Sequence, residues 1–278
     1  MPTVQVLKKK LKGVRTTRKI SKAMKTAATV KYSRLSAVYS GYSRYAEQCK
    51  TLYNCYAEQF RNVLPPKKNG APVCYIVMAS NKGMCGNFNS ELFNFAQDIL
   101  ERESESFDLI LCGEKTVSQF RSKGYGSVKE YIFNDVPQFS EAKMLYEEIF
   151  SLLYQKGYGS VKIIYPAYVN MMKQQPCIRE LFSTEQAEYS DIDDRLFIPD
   201  KATVINNSVE KIITSTLYGV ILETAIGAQA ATVMNMRSAY DTATEFEEKL
   251  ESEINRKRQS QVTADVIETS AEFSQEEE

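Results

Sequence analysis

The fold class predicted by the sequence combines two long terminal helices, paired antiparallel as a coiled coil, with a mostly parallel α/β domain inserted between them. Three observations predict it. No proline lies between Pro2 and Pro65, and none follows Pro199, so both ends are free to form long uninterrupted helices. Apolar residues recur at both ends with alternating spacings of three and four. Between the ends, short apolar runs alternate with helical patterns, the signature of strands joined by crossover helices.

In the N-terminal segment, assigned to residues 1–64, Ala28, Leu35, Val38, Tyr42, Tyr45, Cys49, Leu52 and Tyr56 form the expected seam. A knob recurring every 3.5 residues keeps facing its partner only if the helices supercoil left-handed. Extended towards the terminus, that register meets Arg18, Ser21 and Lys25, so an interruption is expected there. Gly13 and Gly41 each weaken the helix by about 1 kcal/mol relative to alanine.

Residues 72–190 read as the α/β domain. Strands are expected at 73–79, 107–112, 128–133 and 161–165, with an edge strand near 178–182. Helices are expected at 91–100, near 116–120 and at 141–154. The order implies a Rossmann-like, mostly parallel sheet. In the C-terminal segment (residues 207–270), Asn207 and Glu210 suggest a capping box that opens a helix at Ser208. Leu222, Ile226, Ala230, Val233, Tyr240, Ala243, Leu250 and Ile254 then follow at helical spacing. An acidic tail, 271–278, is expected to be disordered. Each terminal helix reaches about 60 residues, on the order of 90 Å, and two such stripes on one chain can bury each other.

Composition narrows the chemistry. The chain has 278 residues and no histidine, which removes Ser-His and Cys-His nucleophile pairs and imidazole metal sites. Six cysteines include no C-x-x-C pair and read as reduced thiols packed as small hydrophobes. Neither a metal nor a cofactor is expected, and no direct membrane span, since the longest apolar run falls far short of about 18 residues. Charge balances overall, but residues 1–46 hold twelve basic and no acidic residues, whereas 241–278 hold twelve acidic against four basic, a net of −8. Such blocks suit each other or separate charged partners.

The loop at 80–89, S-N-K-G-M-C-G-N-F-N, lies between a strand and a helix, where phosphate loops occur, but matches neither glycine-rich signature. A nucleotide-binding α/β enzyme therefore stays as one alternative. A basic coiled-coil adaptor gripping nucleic acid is another, although no aromatic residue lies between Lys8 and Lys31 to stack on bases.

Four motifs carry a resemblance. Residues 19–25 resemble the K-I-T-K-A-M stretch in the first helix of F-type ATP synthase gamma subunits. Residues 80–89 resemble that family's S-D-[RK]-G-L-C-G-x-x-N. Residues 223–243 align without gaps to its E-x-x-A-S-E-x-A-A-R-M-x-A-M-K-x-A-T-D-x-A, and 255–263 are similar to Y-N-x-x-R-Q-x-x-I-T. The resemblance implies a non-catalytic rotor subunit coupling ion translocation to ATP synthesis or hydrolysis elsewhere. Its partners would be three alpha and three beta subunits, an epsilon subunit and a membrane c-ring, with no nucleic acid. It would lie peripherally at the cytoplasmic face of the cell membrane, held through those partners. Lys19, Lys22 and Met24 would face moving beta-subunit segments, with Arg258, Gln259 and Thr263 opposite them on the last helix. Phe197, Ile198 and Pro199 would face the ring at the base. The sequence departs from the family pattern at Gly227, Ala228, Thr232 and Ile198 and in its acidic end.

Overall fold

The structure, a computed structural model, describes residues 3–56, 60, 70–181 and 198–276. In chain order the elements are α1 (Val4–Cys55), β1 (Val73–Met78), α2 (Phe88–Arg102), β2 (Phe107–Cys112), α3 (Glu114–Ser122), β3 (Lys129–Tyr131), α4 (Phe139–Lys156), β4 (Val161–Asn170), β5 (Lys173–Glu180) and α5 (Lys201–Glu276). Contacts divide the chain into unit 1, Met1–Ala27 with Val233–Glu278, and unit 2, Ala28–Thr232.

Unit 2 is built on one five-stranded sheet, ordered β3-β2-β1-β4-β5. Among the described residues the β1–β2, β1–β4 and β2–β3 pairs are parallel, and only β4–β5 is antiparallel. Every residue of β1 is buried because both sheet faces are covered, as parallel sheets require. Val73, Tyr75 and Val77 pack with Leu92, Phe93, Ala96 and Phe120 from α2 and α3. The alternate residues Cys74, Ile76 and Met78 face a second core, shared with Leu145 and Ile149 of α4, Leu35 of α1 and Leu217, Ile221 and Leu222 of α5.

The edge departs from the strand expected near 178–182. β5 begins at Lys173, and β4 runs to Asn170, beyond the expected 165. Proline removes a ladder donor and is usually confined to strand ends or edges, yet Pro166 and Pro176 lie inside β4 and β5 and pair directly with each other. The N–H of Tyr168, of the same parity as Pro166, points away from β5 to Glu223 Oε2 on α5 at 3.3 Å. The donor that Pro166 lacks would have pointed the same way, so no rung is lost. Asn170 closes the turn, its Oδ1 accepting from Met172 N and Lys173 N at 2.9 Å each.

Helix α5 begins at Lys201, earlier than the Ser208 expected from Asn207. Asp200 provides the start, its carboxylate accepting from Thr203 N at 2.9 Å and Thr203 Oγ1 at 2.8 Å. The helix continues to Glu276, into the segment expected to be tail. An 18-residue window within Lys201–Ile267 is apolar enough by composition to cross a bilayer, with mean hydropathy 1.3, but 61% of it is buried. In unit 2 this helix packs on α1 and on the sheet core, so both of its faces are apolar. Gly227 permits a close approach to β5 and α2: a Cβ there would lie 3.1 Å from both Gln174 Cγ and Phe88 Cε2.

The seam on α1 also differs from expectation. In unit 2, Ala28, Tyr32, Leu35, Tyr39, Tyr42, Ala46, Cys49, Tyr53 and Tyr56 are buried or half-buried. Val38 and Tyr45, expected in the seam, are 39% and 44% exposed, and Leu52 is half-buried. The alternate seam position is therefore 39, 46 and 53 instead of 38, 45 and 52. The tyrosines explain why. Tyr32 OH lies 2.7 Å from Tyr168 OH, Tyr39 meets the Tyr168 ring edge-on at 6.2 Å, and Tyr42 meets Tyr218 at 5.1 Å. Tyr42 hydrogen-bonds Ser215, and burial pushes its phenol up to about 12. All six cysteines are unbridged; Cys74, Cys85 and Cys112 are buried and the others half-buried, and burial pushes the Cys74 thiol up to about 12.

Candidate functional site

In unit 1 the first turns of α1 pair with the distal half of α5. Leu7 and Leu11 pack with Leu250 and Ile254, Arg15 bonds Glu247 and Glu251, and Lys25 lies 5.1 Å over the Tyr240 ring. As numbers rise on one helix they fall on the other, so the pair is antiparallel. In unit 2 the same sense holds, with Tyr42 against Ser215 and Tyr218, and Lys201 over Tyr56.

The register on α1 in this unit, Leu7, Leu11, Val14, Arg18, Ser21 and Lys25, alternates fours and threes without a break, as do Val233, Met236, Tyr240, Ala243, Glu247, Leu250 and Ile254 on α5. The interruption expected at Arg18, Ser21 and Lys25 is instead a matched polar layer. Ser21 is buried, and Glu247 is 8% exposed. Arg15 Nε donates to Glu247 Oε1 at 2.9 Å, and Arg15 Nη2 to Glu251 at 2.5 Å. Arg18 Nε lies 3.1 Å from Glu247 Oε2 as an ion pair. The hydrogen bond to Glu247, then that to Glu251, raises the Arg15 pKa. A polar group at a seam position favours one register, since any slip leaves it unpaired.

Around this layer the helices are charged with opposite sign. Unit 1 draws nine basic and no acidic residues from 1–27, and twelve acidic against five basic from 233–278. Lys8, Lys9, Lys10, Lys12, Lys19 and Lys22 are exposed, a cationic face directed at solvent. Met24 is half-buried, and Arg258, Gln259 and Thr263 are exposed. The structure does not set these last three opposite Lys19 and Lys22. Positions 15 to 25 are level with 240 to 251, so Arg258 lies at least seven residues, roughly 10 Å, further along the axis. Of the seam residues, Val233 and Ile254 are buried, and Tyr240 and Leu250 are half-buried. Ile198 is 86% exposed and Pro199 is exposed; Phe197 lies outside the described residues.

The loop at 80–89 in unit 2 spends its polar groups on itself. Asn89 Oδ1 accepts from Ser80 N at 3.3 Å, the Ser80 hydroxyl lies 2.9 Å from that oxygen and 2.7 Å from Lys82 O, and Asn89 Nδ2 approaches Cys85 Sγ at 3.3 Å. Asn81 reaches across to Phe133 O and to the backbone N–H of Glu114. Serine, cysteine and asparagine at these spacings therefore build a turn, which Cys85 and Phe88 seat on Ala228 and Ala231. That contact accounts for a small residue at 228.

Asp135, after β3, accepts from Lys31 of α1 and from Lys82, the latter at 2.7 Å. Burial alone would raise its pKa, but the two lysines outweigh it and hold the carboxyl below its ordinary 3.8. A depressed carboxylate stabilises above its unfolded-state value and loses that contribution as pH falls through the folded one. Urea unfolding from pH 6 to pH 2 should therefore show Asp135→Asn weaker than the parent at pH 6, with the difference closing below about pH 4. A difference constant with pH would contradict this bridge.

A family model described as ATP synthase matches residues 3–271. Similar relatives include the ATP synthase gamma chain of Pelotomaculum thermopropionicum, 26% identical over 275 residues, covering 96% of this chain and 97% of that one. The gamma chain of Desulforudis audaxviator is 28% identical over 286 residues with the same coverage. Among solved structures, the rotor of Euglena gracilis mitochondrial ATP synthase has a like fold, with TM-score 0.66 at 16% identity over 93% of this chain and 98% of that one. The central stalk and c-ring structure of Tetrahymena thermophila mitochondrial ATP synthase gives 0.58 at 22% identity, over 79% and 99%.

Proposed function

Because this chain belongs to the gamma-subunit family of F-type ATP synthases, we propose that its paired terminal helices turn inside a ring of three alpha and three beta subunits. It is a central-stalk subunit and not itself an enzyme; the nucleotide chemistry belongs to the complex's other chains. The observation that carries the finer reading is the exposed cationic face of α1, Lys8 to Lys22, held in one register by Arg15, Arg18, Glu247 and Glu251.

The physical logic is one of symmetry. Two helices of opposite charge have no threefold axis, so they cannot present the same surface to three identical neighbours. Each orientation then favours a different set of open and closed sites. The free energy available to shift those sites equals the difference in contact energy between orientations. A pair that slipped in register would dissipate that difference, which gives the polar layer a mechanical purpose. Lys19, Lys22 and Met24 are assigned to beta-subunit contact. Arg258, Gln259 and Thr263 form a second contact at a different level of the shaft. Phe197, Ile198 and Pro199 are assigned to the base near the c-ring and the epsilon subunit, and attachment at the cytoplasmic face of the membrane follows from those partners.

Affinity purification of the tagged chain from its native membranes tests the assembly. Two larger nucleotide-binding chains, each in threefold molar excess, are expected to co-purify. Recovery of the chain alone, or with nucleic acid, would overturn the reading.

A further inference from the structure

The carboxyl ends of β1 and β3 meet α5 around a cavity of about 60 Å³, lined by Ser80, Lys82, Asp135, Thr224 and Gln229 among others. One water needs about 10–15 Å³ of such space, so the cavity holds a compact group of a few heavy atoms and no nucleotide. In open α/β sheets this edge is where ligands bind. Two features within unit 2 point to the class of ligand.

At the mouth, Asp135 faces two ammonium groups, Lys31 and Lys82. One carboxylate bonded to two cations leaves a surplus positive charge, which Glu114 tempers at Lys82 from further off. In the wall, Thr224 is 5% exposed and its hydroxyl has no partner among the described residues. Other threonines of α5, Thr216, Thr232 and Thr244, return their hydroxyls to the carbonyl four residues earlier; Thr224 does not. Thr214 is also unpaired but is not part of this wall. A buried donor without an acceptor is costly, and an anion beside the lysines would supply one.

We propose that this cavity binds a small oxyanion, a carboxylate or phosphate group on a compact body, with Lys82 of the lining providing charge, Lys31 adding to it through its bond to Asp135, and Thr224 a hydrogen bond. Met78, Phe133 and Ile221 complete the wall and leave room for a short apolar body. Asp135 competes with the ligand for both lysines, so it sets the affinity from the opposite direction.

Isotope-labelled full chain titrated with inorganic phosphate, acetate and chloride at matched ionic strength tests the site by NMR. Saturable shifts centred on Thr224, Lys82 and Asp135 are expected with phosphate, acetate or both, and not with chloride; which of the two binds identifies the class. Thr224→Val and Lys82→Gln should each weaken binding about tenfold, and Asp135→Asn should tighten it. Lys82 is 71% exposed, so Lys82→Gln keeps the fold and decides the matter even if Thr224→Val does not. Shifts that match those of chloride, or binding undiminished in Lys82→Gln, would overturn the proposal.

Discussion

Gly113→Ala is expected to destabilise unit 2 by about 3–5 kcal/mol, the sum of backbone strain and a clash with an atom that cannot move away. Gly113 follows β2 with φ +97, and a Cβ would stand 2.3 Å from the carbonyl oxygen of Ala79. That region is locked from both sides, because Gly113 N donates to Tyr131 O at 2.8 Å and Ala79 N to Cys112 O at 3.0 Å. Relieving the clash would part β1, β2 and β3 where they converge. Gly124 is the control: its φ is +82 but open space surrounds it, so alanine there incurs strain alone, about 1–2 kcal/mol. Urea unfolding followed by tyrosine fluorescence should rank the two in that order. Equal losses would show that the contact with Ala79 is not decisive.

Glu247→Arg is expected to open the helix pair of unit 1. It replaces the one buried carboxylate of the polar layer with a third guanidinium beside Arg15 and Arg18, leaving Glu251 as the remaining bonded acid. Like charges at a seam repel where water is largely excluded. The readout is cleavage of residues 1–27 under brief proteolysis, which follows the population of the opened pair; it should rise about tenfold or more. Adding Arg18→Glu restores an opposite pair and should recover much of the loss. A rise that the second change leaves untouched would mean that the layer acts through bulk and not charge. Glu247→Leu removes the acid without adding a cation and leaves Arg18 without its paired carboxylate, so cleavage should rise, but by less than in Glu247→Arg.

Much of the fold was legible in particular residues. The long stretches without proline before Pro65 and after Pro199 left room for both helices, and the alternation of β1 to β4 with their helices follows from apolar runs bounded by polar turns. What could not be read was the phase of the seam. Val38 and Tyr45 carry the same 3-4 spacing as Tyr39 and Ala46, one residue away, and periodicity alone cannot choose between them. The choice is made by tertiary partners, Tyr168 and Tyr218, that lie far off in sequence. One signal was available: only the phase through Tyr32, Tyr39 and Tyr53 runs unbroken back to Leu7. Followed through Arg18 and Ser21, it would have indicated a polar layer awaiting an acid, and Glu247 stands in phase on the other helix. The β4–β5 hairpin was hidden because two prolines normally end strands, and only their mutual pairing at an outer edge makes them harmless. Asp200 and Asn207 carry the same capping chemistry in the sequence, and only the bonds of Asp200 to Thr203 mark where α5 begins.

The proposed contact residues depend on geometry that the sequence did not carry. Lys19, Lys22, Arg258, Gln259 and Thr263 are all exposed, as contact residues must be, but they occupy different levels of the paired helices. Two separate contacts along one shaft can sense different parts of a neighbouring subunit. Resemblance of motifs gave their identities, and only the antiparallel register gave their heights.

The most direct measurement is made on the assembled complex. A cysteine introduced at Lys22 and joined by a disulfide to one beta subunit fixes the shaft in a single orientation. Multisite ATP turnover is then expected to stop in proportion to the crosslinked fraction, and to return when the disulfide is reduced. Full turnover in a completely crosslinked complex would contradict a rotating shaft.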